Sequence, residues 1–169
     1  APDTTGSGRL LRHARLPDRE SAAVVAGGLL FVALLRLTSL SSVLRGDSTV
    51  LSGNDPYYYR YWVEQLLASS EFTLTQLPRA LAKGEPLFVA TLRIIADLAG
   101  GTAGATGIVL AWYPVVTAVV TGVLVYVLVT TITDDRRVAF AALLMFALTP
   151  GHAFRTSLGF ADHHAFDYL

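Results

Sequence analysis

From Leu98 to Thr133 the chain runs for 36 residues without a charged side chain. A helix rises about 1.5 Å per residue, and about 20 apolar residues cross a hydrocarbon core, so this stretch is longer than one membrane span requires. Gly100, Gly101, Gly104 and Gly107 crowd its start and predict a turn-rich approach, followed by a helix from about Ile108 to Ile132. Pro114 and Gly122 are tolerable inside such a helix, because neighbouring spans re-satisfy freed backbone groups. A second stretch, Ser21 to Leu44, has 24 residues and a single charge, Arg36. A secretory signal would have an apolar core of about 7 to 15 residues and a small-residue cleavage site, so a retained span is the better reading. Arg36 lies about 22 Å along its axis, where its guanidinium is read as an interface anchor that snorkels to the far face. Val138 to Phe154, 17 residues ending at Thr149-Pro150-Gly151, is just long enough for a third span in a slightly thinned bilayer. With 15% charged residues against about 25% in soluble domains, the expected class is all-α, a polytopic helical membrane protein.

The spans divide the chain into a cytoplasmic tail (1–20), a first span (21–44), a long external loop (45–107), a second span (108–132), a cytoplasmic turn (133–137), a third span (138–154) and a second external loop (155–169). Asp134-Asp135-Arg136-Arg137 makes a tight turn, so spans two and three are antiparallel neighbours. Arg9, Arg12, Arg15, Arg19, Arg136 and Arg137 lie on one side, and Arg45, Arg60, Arg79, Lys83, Arg93 and Arg155 on the other. The raw count ties, but charges close to the spans in short segments weigh most and favour the tail and turn as cytoplasmic. Within the first external loop, Asp55-Pro56 opens a helical run to about Ser69, and Pro86 opens another to Ala99 with Arg93 and Asp97 at i, i+4. Thirteen basic residues balance thirteen acidic ones, which excludes the basic field of nucleic-acid binders. There is no cysteine, so any metal must use carboxylate, imidazole or backbone oxygen. The chain starts at Ala1 and stops within an apolar-aromatic run, and is expected to be an N-terminal piece of something longer.

Two acidic clusters fall on the external side. The first is Ser52-Gly53-Asn54-Asp55-Pro56-Tyr57-Tyr58-Tyr59-Arg60-Tyr61-Trp62. Its aromatics suit an interfacial belt or, with Arg60, a sugar or phosphate head group, and Asp55 taken alone reads most simply as a helix cap. The second runs from Arg155 to Asp167. There Asp162 and His164 can aim a carboxylate oxygen and an imidazole nitrogen at one divalent cation, and Asp167 can orient His164. A cap with surface histidines is the competing reading of Asp162. Asp55 and Asp162 follow spans one and three, which puts both on the same membrane face, where they can share one metal. Arg155 supplies positive charge for an anionic lipid phosphate.

At these residues the sequence resembles the catalytic subunits of the oligosaccharyltransferases, most closely the archaeal AglB branch, over about Ala22 to Leu169. Gly53-Asn54-Asp55-Pro56-Tyr57-Tyr58 matches the family's first acidic motif, and Pro150 through His164 matches the run through the second. The resemblance implies the N-terminal part of a GT-C type transmembrane bundle in the cell membrane, multi-pass, with its active site on the external face. It implies transfer of a glycan from a dolichol-linked phosphate or diphosphate donor to the Asn of an Asn-X-Ser/Thr acceptor polypeptide. Carried residue by residue, Asp55 would bind both the metal and the acceptor amide, Asp162 and His164 would be further ligands, and Arg155 would face the lipid phosphate. Asp55 and Asp162 are then the catalytic carboxylates.

That chemistry asks for such equipment. An amide nitrogen is a poor nucleophile because its lone pair is delocalised, and carboxylates that hold its N–H groups and twist the amide ease attack, while a metal stabilises the departing phosphate. Mg²⁺ or Mn²⁺ suits carboxylate oxygen, and the histidine, where many relatives carry an acidic residue, tilts the choice to Mn²⁺. The family's further catalytic Glu and its C-terminal Trp-Trp-Asp-Tyr-Gly motif do not occur before Leu169, so the fragment alone is expected to be inactive. The rival readings are another polyprenyl-phosphate-dependent membrane glycosyltransferase, and a non-catalytic divalent-cation transporter using Asp162, His163 and His164. Transporter ligands usually lie near the bilayer midplane, whereas these lie at or beyond span ends.

Overall fold

The computed structural model describes residues 19–69 and 85–167. Residues 1–18 of the expected tail, with Arg9, Arg12 and Arg15, lie outside them, as do Arg79, Lys83 and the last two residues, while Arg19 opens the first helix. In chain order the elements are α1 (Arg19–Arg36), α2 (Leu40–Val43), β1 (Leu44–Arg45), β2 (Ser48–Thr49), α3 (Asp55–Ala68), α4 (Pro86–Leu98), α5 (Ala103–Thr133), α6 (Arg136–Leu148), α7 (Pro150–Arg155) and α8 (His164–Asp167). The strands form one small antiparallel hairpin, Leu44 opposite Thr49.

Helices α1, α5 and α6 make a bundle in which α5 runs against the other two. Its register is set by small residues. A Cβ on Gly28 would come within 2.8 Å of Leu143 and 2.9 Å of Phe140, and one on Gly122 within 3.1 Å of Leu143 and 3.2 Å of Leu29, so the missing side chains let the backbones approach. Val32, Ala118, Leu143 and Ala147 are buried between the three helices. The outer faces are apolar as well, with Leu30, Leu34, Val116, Val127, Leu128, Ile132, Met145 and Leu148 all exposed. Helix α5 is long and apolar enough to cross a membrane; the apolar part of α1, Ala22–Arg36, is shorter.

Several boundaries differ from the sequence expectation. Helix α5 begins at Ala103, not near residue 108, because the Thr102 hydroxyl caps it by accepting from the Ala105 N–H at 3.1 Å. Gly107 is therefore inside the helix, where a Cβ would sit 3.4 Å from Thr49 and 3.5 Å from Arg60. The stretch 138–154 is divided at Thr149, since Pro150 disfavours helical backbone in the residue before it and starts α7 instead. The α5–α6 turn places Asp134 in the left-handed region (φ 53°), and the Asp135 carboxylate caps α6 by accepting from the Arg137 N–H at 2.8 Å.

The stretch 21–44 also breaks, at Arg36. Residues 37–39 turn through Leu37 N–H to Leu34 O and Leu40 N–H to Leu37 O bonds, and the Ser39 hydroxyl donates to the Leu158 carbonyl at 2.9 Å. Hydroxyls of this kind offer the backbone partners outside the helix. Arg36 itself does not snorkel. It is fully buried, with Nε donating to Thr156 Oγ1 (3.1 Å), NH1 to the Ala147 carbonyl (2.7 Å) and NH2 3.1 Å from His152 Nδ1. A guanidinium with several buried acceptors is cheaper to keep inside than to drag to an interface.

Beyond this end of the bundle, α3 and α4 pack on each other and on α5. Phe88 of α4 is 1% exposed and makes edge contacts with Tyr59 (4.8 Å) and Tyr113 (5.4 Å) and a tilted one with Phe166 (6.0 Å). One ring thus ties α3, α5 and α8 together. Segment 158–160 is stitched to three elements at once: Leu158 N–H to Arg36 O, Gly159 N–H to Ala111 O, and Ser52 N–H to Gly159 O, each 2.9 Å. Gly159 sits at φ +84°, and a Cβ there would lie 2.7 Å from Val43. Gly159→Ala is expected to destabilise the fold by about 2–4 kcal/mol, combining left-handed strain with overpacking, read as the shift of the denaturation midpoint in detergent micelles. A change within error of wild type would contradict this packing.

Candidate metal and transfer site

The two acidic motifs meet at the bundle end that carries Arg36 and the C-terminus of α6. Their carrier loops are paired directly, by Ser52 N–H to Gly159 O, and Gly53 (φ +98°) has room for a Cβ only 3.9 Å from the Phe160 ring. Asp55 is the first residue of α3 and is exposed; the cap position belongs to Asn54, whose side chain makes no capping bond. The cap reading of Asp55 therefore does not hold. Among the described residues no hydrogen bond or ion pair engages its carboxylate.

Asp162 is the opposite case, 5% exposed. Its Oδ1 lies 2.6 Å from His163 Nδ1, and its Oδ2 lies 3.7 Å from both His164 Nε2 and Arg155 NH1. It caps nothing, for Oδ1 is buried without a directed hydrogen bond among the described residues. One donor atom each from Asp162, His163 and His164 falls within 4.8 Å of the others. Asp55 is outside that group. Asp167, expected to orient His164, stands 3.9 Å from its Nδ1, too far for a hydrogen bond.

Tyr59 links the motifs. It is one turn beyond Asp55 on α3, 7% exposed, with its hydroxyl 3.1 Å from His163 Nδ1. Burial, then the charges of Asp162, Glu85 and Asp55, push its phenol well above the ordinary tyrosine range, so both carboxylates act on one protonated hydroxyl. His163 Nδ1 thus stands within reach of both the Tyr59 hydroxyl and Asp162 Oδ1, its role as donor or acceptor set by the imidazole tautomer. The donor set therefore fits a divalent cation: a buried under-satisfied carboxylate oxygen beside two imidazoles.

The Arg155 side chain is 42% exposed, which leaves it accessible to an anion. Arg60 is engaged otherwise, 2.8 Å from Glu64 and bonded to the Ala103 carbonyl at 3.2 Å, so it is not poised for a head group. Tyr57, Tyr58 and Tyr61 are exposed while Tyr59 is buried, which separates one structural tyrosine from three surface ones. Sequence reasoning did not single out Tyr59, and gave His163 a part only in the cation-transporter reading. The i, i+4 spacing of Asp55 and Tyr59 was the available signal for the first, and the adjacent histidines for the second.

No family model and no curated protein matches the chain. Among solved structures it is similar to the crystal structure of the Archaeoglobus fulgidus oligosaccharyltransferase in the apo form, with TM-score 0.72 and 25% sequence identity over 89% of this chain. The matched part is 18% of that chain, so this chain spans about a fifth of its length.

Proposed function

We propose that this chain belongs to a membrane-embedded oligosaccharyltransferase, which moves a glycan from a dolichol-linked phosphate or diphosphate to the side-chain amide of Asn in Asn-X-Ser/Thr. The observation that carries the reading is the pairing of two acidic motifs, distant in sequence, through Ser52 and Gly159 and through the shared Tyr59 hydroxyl. The similarity to an archaeal oligosaccharyltransferase over most of the chain supports it.

In this reading α5 crosses the membrane beside α1 and the α6–α7 pair, their exposed apolar faces meeting lipid, and the turn at 134–135 is cytoplasmic while the motifs face outward. Asp162, His163 and His164 would hold Mn²⁺ or Mg²⁺, the imidazoles favouring Mn²⁺, and such a cation would supply positive charge to offset that developing on the departing phosphate. Asp55, exposed at the start of α3, would accept hydrogen bonds from the acceptor amide N–H groups, which localises the nitrogen lone pair for attack on the sugar. Arg155 receives the donor phosphate, a task for which a guanidinium fork is suited.

The test is transfer itself. The full-length natural protein in membranes, given a labelled lipid-linked glycan and an Asn-X-Thr peptide, is expected to glycosylate the peptide only with a divalent cation present; chelation abolishes the activity and Mn²⁺ restores it. Label moving to a lipid or to another glycan, but not to the peptide, would overturn the proposal.

A further inference from the structure

The buried Arg36 lies far in sequence from both motifs, yet every group it holds belongs to the path leading to Asp162. Its guanidinium bonds the last turn of α6 at the Ala147 carbonyl, His152 in α7, and Thr156 just past α7. Its own carbonyl accepts the Leu158 N–H at 2.9 Å. Phe146 stacks on His152 with ring centroids 4.4 Å apart and lies 5.9 Å from the guanidinium carbon, and Thr156 is 1% exposed. The break at Thr149–Pro150 leaves the α6–α7 junction without continuous helical bonding, so side-chain contacts must fix the direction in which the chain leaves. Arg36 supplies several of them from one buried cation.

We propose that Arg36 is a positioning residue: from the end of α1 it fixes the α6–α7 junction and segment 156–160, and so sets the geometry of Asp162, His163 and His164. The effect on metal affinity rests on the metal reading above; the effect on segment position does not. Substitution to Met keeps an apolar side chain of similar length and removes all the donors. Arg36→Lys keeps one charge and can reach the Ala147 carbonyl, but it cannot bridge three partners. Thr156→Val deletes only the hydroxyl acceptor at near-constant volume.

Two readouts test this on the chain in detergent micelles. The native sequence has no cysteine, so spin labels at Leu98→Cys and Ser157→Cys are unique. Pulsed dipolar spectroscopy is expected to give one narrow distance in the wild-type background and a broadened or shifted one in Arg36→Met. In parallel, Mn²⁺ affinity read by EPR is expected to fall about tenfold in Arg36→Met, in line with losses at residues that orient metal ligands. Arg36→Lys should fall between Met and wild type, and Thr156→Val should lower affinity less than Met while the denaturation midpoint stays near wild type. A purely structural arginine would move the midpoint and leave the affinity of the folded fraction unchanged. An unaltered narrow distance in Arg36→Met overturns the proposal, as does wild-type Mn²⁺ affinity in both Arg36→Met and Thr156→Val. If the wild type binds no Mn²⁺ but the distance still broadens, the metal reading fails and the positioning role stands.

Discussion

Asp162→Asn is expected to lower glycan transfer by the full-length natural protein about 10²–10³-fold, the loss anticipated when several kcal/mol of charge stabilisation by a metal is removed. The substitution keeps the shape of the side chain and removes only its charge. Asp162 is the buried member of the donor group and contacts both histidines and Arg155. Mn²⁺ binding to the chain should disappear in the same variant, because two neutral imidazoles and an amide make a poor site for a hard cation. The fold should survive, since the backbone around residue 162 is held by bonds from Gly159, Leu158 and Ser52, not by this carboxylate. Transfer and Mn²⁺ binding both near wild type would remove the site from the account.

Asp55→Ala separates the two carboxylates. Asp55 is exposed and outside the Asp162–His163–His164 group, so its removal should reduce Mn²⁺ affinity far less than Asp162→Asn does. Transfer should nevertheless fall about 10²-fold or more, because an acceptor amide whose N–H groups are not held in place loses orientation and activation together. The split between metal affinity and rate is the signature: strong rate loss with a largely intact site. Near-wild-type transfer in Asp55→Ala would sink the assignment of this residue to the acceptor.

The parts of this fold legible in the sequence were those written in local chemistry. The uncharged run after Asp97 marked α5, Asp55-Pro56 and Pro86 marked the starts of α3 and α4, and Asp134-Asp135 marked the reversal before α6. Local signals misled where a distant partner decides. Uncharged sequence continues past Arg36, yet the helix stops there: residues 37–39 turn with the Ser39 hydroxyl on the Leu158 carbonyl, and the Arg36 side chain is held by Ala147, His152 and Thr156, more than a hundred residues away. Gly107 read as part of a turn and lies instead inside α5, where Thr49 and Arg60 would stand at ordinary contact distance from a Cβ. Both acidic motifs could be named from sequence, with span counting alone to set them on one face. The Ser52–Gly159 bond and the Tyr59–His163 contact could not be named, since they depend on how α3 lies against the segment after α7.

The most direct measurement is the distance between the bound cation and the first motif. A nitroxide at Asn54→Cys, the only thiol in the chain, should show strong dipolar broadening when Mn²⁺ is added in micelles. A label at Ile132, at the opposite end of α5, should stay sharp, and Asp162→Asn should abolish the broadening at 54. A label at 54 that ignores Mn²⁺ while the ion is bound at Asp162 would contradict the claim that the two motifs build one site.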